Sequence, residues 1–452
     1  MKVLALSGIL GYGYSEAALK NAFLDPPDYI GVDGGSTDPG PYYLGKGVSF
    51  TDRNAVKRDI AQILPQALRL GAPFIVGTGG GSGSCVHLNW LRDIVLEISK
   101  EENLSFKMAL IYTDVDASYV LEKYQEGKLK AMGGIEVNED SIQQAVRIVS
   151  QVGVSAIIDA LKNGADVILA GRCCDTAIYA APCLLNGYDP GLAYHMAKVM
   201  ECGAMCASPV SAADMMLGTI EKDYFELTPV NPSRRCTVRN VAAHTMYEQG
   251  SPYLIYEPDG VVNLSQSQYK QVSERTVRVS NSLFFPSEKS TIKLEGVKLN
   301  GFRTIAVAGI NDPLTIKEID LIFEGVCAFV SETLEGRIDP NSYQLMLHKY
   351  GEHFMFDPSQ MKYENSNSMG VIIEAIGETQ EISKTVLALA RSRMLHFDYP
   401  GRKSTAGNLA FPYSPSDFVL GEVYTFCVYH LAEVDSLSET AQITYLTVGE
   451  RQ

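Results

Sequence analysis

The run Ile75-Val76-Gly77-Thr78-Gly79-Gly80-Gly81-Ser82-Gly83-Ser84 constrains the chain more than any other stretch. It follows the apolar Ala72-Pro73-Phe74-Ile75-Val76, which reads as a buried strand, and it precedes a helical pattern that begins near Val86. Strand, glycine loop and helix in that order form a unit of an open α/β sheet, whose ligands sit at the carboxyl ends of strands. Glycines admit positive φ and close approach of a ligand, and a helix N-terminus offers unpaired N–H groups. Gly79, Gly80, Gly81, Ser82 and Gly83 could therefore cradle an anion. The alternative is a tight turn that needs glycine only to pack. The loop is not a dinucleotide fingerprint, because Ser82 stands where its last glycine belongs, and no Gly-Lys-Ser/Thr closes a P-loop.

The same alternation of short apolar runs with helical segments extends from Met1 to about Asn231. Strands are expected at Val3–Leu6, Tyr29–Val32, Phe74–Val76, Lys107–Tyr112 and Asp166–Ala170, and helices at Ala55–Leu70, Val86–Ser99, Ile142–Val152 and Leu192–Met205. Around Pro229-Val230-Asn231-Pro232 the composition shifts toward polar β patterns, with an Asp259-Gly260 turn and an alternating Val272–Ser280. Further strands and helices follow, among them helices at Asp312–Leu334 and Thr379–Met394 and a last strand at Ile443–Val448. The fold class expected is α/β: a Rossmann-like parallel-sheet domain over residues 1–231 and an α+β domain over 232–452.

With 46% hydrophobic and 20% charged residues in 452, the chain can bury full cores and has an ordinary globular composition. No apolar run spans a bilayer, and the opening apolar run is too short for a signal sequence. Nine cysteines without a regular framework fit a reducing compartment, so a cytoplasmic location is expected. A formal charge of −15 speaks against nucleic acid and anionic membranes as partners.

The expected strand ends carry the chemistry. Asp33-Gly34-Gly35-Ser36-Thr37-Asp38 follows the second strand, Thr113-Asp114-Val115-Asp116 the fourth, and Gly171-Arg172-Cys173-Cys174-Asp175-Thr176 the fifth. A crevice of glycines, hydroxyls, carboxylates and one arginine is the expected product, with Gly34, Gly35, Ser36, Asp114, Asp175 and Thr176 as substrate or anion contacts beside the glycine loop. Asp33, directly after an apolar strand, is the best placed acid or base, although Asp beside Gly commonly bonds its own turn. Arg172 is either a clamp for a carboxylate or phosphate or the partner of a neighbour such as Asp175. His195, Lys198, Glu201 and Cys202 fall at helical spacing, either as a polar stripe into the cleft or as a surface ion pair beside a His. His244 with Glu248 one turn on is a further candidate proton carrier. Cys202 and Cys206 read as small buried side chains rather than metal ligands, while Asp114, Asp116 and Asp175 could hold a divalent cation. No hydrolase elbow, zincin, kinase or EF-hand motif occurs.

Several motifs together resemble the acyclic terpene utilisation AtuA-like family. They include Val32–Gly45, the glycine loop, Gly171–Ala177, Glu201–Ala204, Ala243–Glu248, Lys293–Gly296, Gly301–Ile305, Gly309–Pro313 and Thr405–Asp417, spread over nearly the whole chain. The resemblance implies a catabolic enzyme of acyclic terpenes or of small branched or hydroxylated acids, in pathways that run through CoA thioesters. It also implies a small ferredoxin-fold partner, since longer relatives carry that domain beyond the point where this chain stops. A homo-oligomer is allowed, and the cofactor is left open, with no strong nucleotide or metal signature and a divalent cation possible. Two functions are carried forward. One is a lyase (hydratase or dehydratase) or isomerase on a small carboxylic acid or its CoA ester, with Asp33 as base, Arg172 as clamp and His244 as second proton carrier. The other is a non-catalytic binding or scaffolding subunit.

Overall fold

The structure, a computed structural model, describes residues 1–351, 368–402 and 406–449. Thr405, at the head of one motif above, lies outside the described residues. The chain forms two compact units, Met1–Lys298 with Phe426–Gln452, and Leu299–Thr425.

In the first unit five strands run parallel: β1 (Lys2–Ala5), β2 (Tyr29–Asp33), β3 (Phe74–Gly77), β4 (Phe106–Tyr112) and β5 (Val167–Ala170). Alternate side chains sort to opposite faces. Leu4, Ile30, Val32, Phe74, Val76, Met108 and Leu169 join one buried cluster, and Val3, Ala5, Ile75, Ala109, Ile168 and Ala170 join the other. Both faces are covered by helices, which is why these strands read as continuous apolar runs. On the first face lie α1 (Arg53–Leu70) and α2 (Cys85–Glu102), seated through Ile60, Ile63, Leu91 and Ile94. Asp52 caps α1 by accepting from Ala55 N, and Gly71 ends it in the left-handed conformation. On the second face lie α3 (Asp175–Leu185) and α4 (Pro190–Met200), seated through Ile178, Met196 and Val199.

Antiparallel strands extend both edges: β6 (Met216–Ile220), β7 (Tyr224–Pro229), β8 (Gln268–Gln271) and β9 (Val277–Ser280) on one side, β10 (Gln442–Val448) on the other. The order is β8-β9-β7-β6-β1-β2-β3-β5-β4-β10, so the sheet is mixed with a parallel centre. Its parallel strands do not fan out from a central first strand as in a dinucleotide-binding sheet.

Three expectations need correction. The break expected between 231 and 232 falls inside the first unit, where the Asn231 amide donates to Asp214 Oδ2 at 2.9 Å and Ser15 Oγ at 3.0 Å. The helix expected over Ile142–Val152 is a short helix, Glu139–Gln143, followed by strand Arg147–Gln151, which pairs antiparallel with Lys293–Val297. The β-branched Val146, Ile148, Val149 and Val152 suit that ladder better than a helix. The last strand, β10, completes the sheet of the first unit by pairing with β4 instead of joining a C-terminal domain.

In the second unit the later part of strand Ser290–Ile310 pairs antiparallel with Met369–Gly377, which pairs with Tyr343–Tyr350. Helices Ile319–Leu334 and Gln380–His396 pack on this sheet through Ile322, Val326, Val386 and Ala390. The helix expected from Asp312 is divided at Glu318 into Pro313–Lys317 and Ile319–Leu334, and Asp312 caps the first piece by accepting from Thr315 N.

Candidate active site

A cleft of about 210 Å³ opens at the carboxyl ends of β1 and β2. Gly8, Ile9 and Tyr12 follow β1; Asp33 ends β2, with Ser36 and Asp38 just beyond. Asp175 opens α3, and Glu201 and Cys202 follow α4. Met205 and Ala212 come from the next loop, and Tyr247 and Glu248 follow α5 (Val238–Thr245). Gly31 within β2 explains the approach of the first two carboxylates. A Cβ there would lie 2.6 Å from Ile178 Cγ2 and 2.8 Å from Tyr179 Cε1, so α3 rests directly on the β2 backbone and brings Asp175 toward Asp33. Glu248 holds a left-handed φ of 60°, a conformation costly for a residue with a side chain and typical of positions fixed for a function.

Asp33 is buried, and its Oδ1 accepts from Gly35 N at 3.2 Å. Burial pushes its carboxyl well above the usual carboxylate range, repulsion from Asp175 adds to the rise, and the Gly35 N–H and Arg172 oppose it. Asp175 is raised as well, by burial against the pull of Arg172 and Lys198. Its Oδ1 is enclosed without a hydrogen-bond partner among the described residues and stands 3.8 Å from Arg172 Nη1. Burial raises Glu201 to about 7 even though Lys198 forms an ion pair with it, and that pair in turn raises Lys198. Behind them Glu257 is raised to about 8, again chiefly by burial, while Thr176 Oγ1 donates to its Oε2 at 2.9 Å. Enclosed carboxylates outnumber nearby cations, so all four are raised, Glu201 and Glu257 into the neutral range. That is the arrangement in which neighbouring acids take opposite roles in proton transfer.

The crevice expected at the glycine loop is filled. Residues 75–84 are buried throughout. A Cβ on Gly80 would strike the His87 carbonyl, one on Gly83 the Arg172 backbone, and one on Gly35 the Gly81 carbonyl. These glycines let backbones meet, so Gly79–Gly83 do not form an open anion cradle, and Gly34 and Gly35 pack onto the loop, Gly34 N donating to Gly77 O at 2.7 Å. Arg172 is no substrate clamp either. It is 3% exposed; its Nε donates to Glu295 Oε2 at 2.7 Å and its Nη1 to Thr78 Oγ1 at 3.3 Å. Glu295 also binds Lys293 at 2.6 Å and accepts from Thr37 Oγ1 at 2.9 Å. Burial alone would raise Glu295, yet Arg172 and Lys293 hold it down at about 2. Arg172 keeps its proton correspondingly firmly, with Glu295 and Asp175 outweighing burial.

The remaining candidates divide. Ser36 lines the cleft and donates to Asp38. Thr176 stands behind it on Glu257. Asp114 accepts from Cys85 N at 2.7 Å at the start of α2, and Asp116 precedes helix Ala117–Gln125. Among the described residues Asp114, Asp116 and Asp175 are not gathered, and no group of three or more His, Cys, Asp or Glu is disposed to hold a metal ion. His244 does not line the cleft but stacks on Tyr247, which does, at 5.4 Å between ring centres. Its Nε2 has no hydrogen-bond partner among the described residues, and burial with the nearby Lys198 lowers it to about 4. His195 is enclosed between Ser282 Oγ at 2.7 Å and Thr245 Oγ1 at 3.0 Å and lowered by burial to about 3, so it is a neutral core residue. The cleft also uses Met205, Ala212 and Tyr247, which sequence reading did not single out as cleft residues, and Glu248, which it paired with His244 as a candidate; the helical spacing of Lys198, Glu201 and Cys202 pointed toward another part of it.

A mixed α/β sheet with a carboxylate cleft at its strand ends defines the class of protein. The particular family follows from residues 54–216 and 228–391, which match the model of the acyclic terpene utilisation family protein AtuA; the chain belongs to that family. No curated protein and no solved structure matches it. Among the described residues no helix is long and apolar enough to cross a membrane.

Proposed function

We propose that the chain is an acid–base enzyme of acyclic terpene or branched-acid catabolism, a lyase of the hydratase or dehydratase kind or an isomerase, acting on a small acyl group carried as a CoA thioester. A ligand at the carboxyl ends of the parallel strands, as in Rossmann-like and other open α/β sheets though with a different strand order, is part of this proposal. The observation that carries it is Asp33, a buried carboxylate of raised pKa opening onto a cleft beside Asp175 and Glu201. The charge of the cleft selects the reacting end. Asp33, Asp38, Asp175, Glu201 and Glu248 line it without a Lys or Arg, so a neutral thioester is accepted where a free carboxylate is repelled. Its volume, about 210 Å³, lies below the roughly 300–1,000 Å³ of drug-sized sites and suits a short branched acyl chain.

In the dehydrating direction the ionised form of Asp33 takes the proton α to the thioester carbonyl, and the protonated form of Glu201, a carboxyl raised to about 7, gives its proton to the β-hydroxyl, which leaves as water; hydration reverses both transfers. Isomerisation uses the same proton removal and returns the proton at another carbon. A homo-oligomer and a small ferredoxin-fold partner complete the proposal, and the mass of the natively purified assembly tests both. The test of the chemistry is exchange of the α-hydrogen of branched acyl-CoA thioesters for solvent deuterium, followed by NMR. Exchange by the wild type and its loss in Asp33→Asn is the expected result, whereas undiminished exchange in the variant would remove Asp33 from the role. Saturable CoA binding with no exchange or turnover, alone or with the partner present, would make the chain a binding subunit.

A further inference from the structure

The first unit contains a second cavity, about 650 Å³, whose character is opposite to that of the acidic cleft. Three arginines, Arg234, Arg235 and Arg275, converge on it together with the hydroxyls of Ser208 and Ser233, in a chain whose formal charge is −15. The acids near them are Glu274 on the rim and Asp214, which is ion-paired to Arg234, so three positive charges face two negative ones. Arg275 is held in place by carbonyls: its Nε donates to Arg234 O at 2.9 Å and its Nη2 to Asn231 O at 2.7 Å and to Pro229 O. Carbonyls fix a guanidinium without cancelling its charge. Arg235 is exposed, its backbone is set by the antiparallel pairing of Arg235 with Ser208, and its side chain has no ion pair or hydrogen bond among the described residues. One arginine is thus rigid, one is paired and one is free. Planar forks of this kind suit phosphate oxygens in pairs of hydrogen bonds.

The two cavities adjoin along one loop. Met205 and Ala212 line the acidic cleft, and Ser208 and Pro209, each three residues from one of them, line the basic cavity, which places the walls within about 11 Å of each other. We infer that the arginine cavity is an anchor for the phosphates of an organic phosphate ligand, and that it holds the nucleotide end of the thioester whose acyl end reaches Asp33. The inference rests on the thioester reading above and assigns the binding end of that substrate.

Calorimetric binding of CoA, dephospho-CoA and inorganic pyrophosphate to the full chain tests it, with Arg235→Glu, Arg235→Gln and Asp33→Asn compared. Arg235 is exposed, so its variants keep the fold, and thermal unfolding verifies this. The expected result is CoA binding that weakens about ten-fold or more in Arg235→Glu, less in Arg235→Gln, and hardly at all in Asp33→Asn, with affinity falling as salt rises. Dephospho-CoA binding as well as CoA would place the diphosphate, rather than the 3′-phosphate, on the arginines. CoA bound equally by Arg235→Glu would overturn the anchor while leaving the thioester reading intact. Pyrophosphate binding that depends on Arg235, without CoA binding, would keep the anchor and sink the thioester reading. No binding of any probe would overturn the anchor.

Discussion

Two neighbouring places along the carboxyl edge of one sheet received similar residues and came to opposite ends. Beyond β3 and β5, a glycine loop, an arginine and a glutamate close on one another, and Glu295 is held at about 2 by Arg172 and Lys293. Beyond β1 and β2, Asp33, Asp175 and Glu201 border open space, and burial raises all three. The difference is the supply of cations. A buried carboxylate whose neighbours are mainly guanidinium and ammonium is held ionised as part of the frame, and one crowded by further carboxylates has its pKa raised.

The largest expected effect separates the two carboxylates by what each loses. Asp33→Asn should cut turnover of the substrate identified by deuterium exchange by about 10²–10⁴-fold while leaving the unfolding midpoint unchanged or higher, since a neutral isostere escapes the burial penalty. A variant that unfolds more readily at neutral pH would place Asp33 with Glu295 in the frame. Glu295→Ala should do the reverse and destabilise the fold by about 3–5 kcal/mol, because it strips the buried Arg172 of its nearest carboxylate and Lys293 of its ion pair; urea unfolding measures it. Its pH dependence has a definite sign. A carboxylate lowered from 4.5 to about 2 contributes stability above 4.5 and loses it as pH falls toward 2, so the wild type's advantage over the variant should shrink across that window.

Next in size is the glycine loop. Gly80→Ala forces a Cβ against the His87 carbonyl at a φ of 73° and should cost roughly 1–3 kcal/mol with no change in ligand affinity per folded molecule. Lost affinity at unchanged stability would restore the anion cradle. At low pH the smallest effect is that of Glu257→Gln, and it grows as pH rises. A carboxyl raised from 4.5 to about 8 contributes stability below 4.5 and loses it as pH rises through 8, so the variant should gain on the wild type over that range, as thermal midpoints between pH 5 and 9 would show. A difference independent of pH would mean that Glu257 is not protonated in the folded state.

Local signals in the sequence were enough for the parallel strands and for the helices Arg53–Leu70 and Cys85–Glu102, but not for Asp175–Leu185, which was not expected. Phe74–Gly77 and Arg53–Leu70 fall within two residues of expectation because a buried strand and a capped amphipathic helix are written in neighbouring side chains. Asp33 was legible for a related reason, as a carboxylate directly after an apolar strand. The fate of Arg172 was not, since its partner Glu295 lies 123 positions away in a strand whose register no local pattern reveals. The cleft at β1 and β2 was half legible. Asp33, Ser36 and Asp175 came from strand ends, but Tyr247 and Glu248 arrive from beyond α5, where only tertiary packing decides the direction of the chain. The helix expected over Ile142–Val152 failed by the same rule, with pairing to Lys293–Val297 prevailing over a helical spacing of apolar residues.

The strand β10 has a consequence for how the protein comes into being. It fills the place beside β4 across roughly 330 residues of sequence, and the second unit is threaded between them. On the ribosome the inserted unit is available to fold before the sheet is complete, while the outer edge of β4 waits uncovered for residues made roughly 330 positions later. Over that interval the nascent chain exposes a strand edge of the kind that invites mispairing, which makes the timing of synthesis, as well as the final contacts, a determinant of yield.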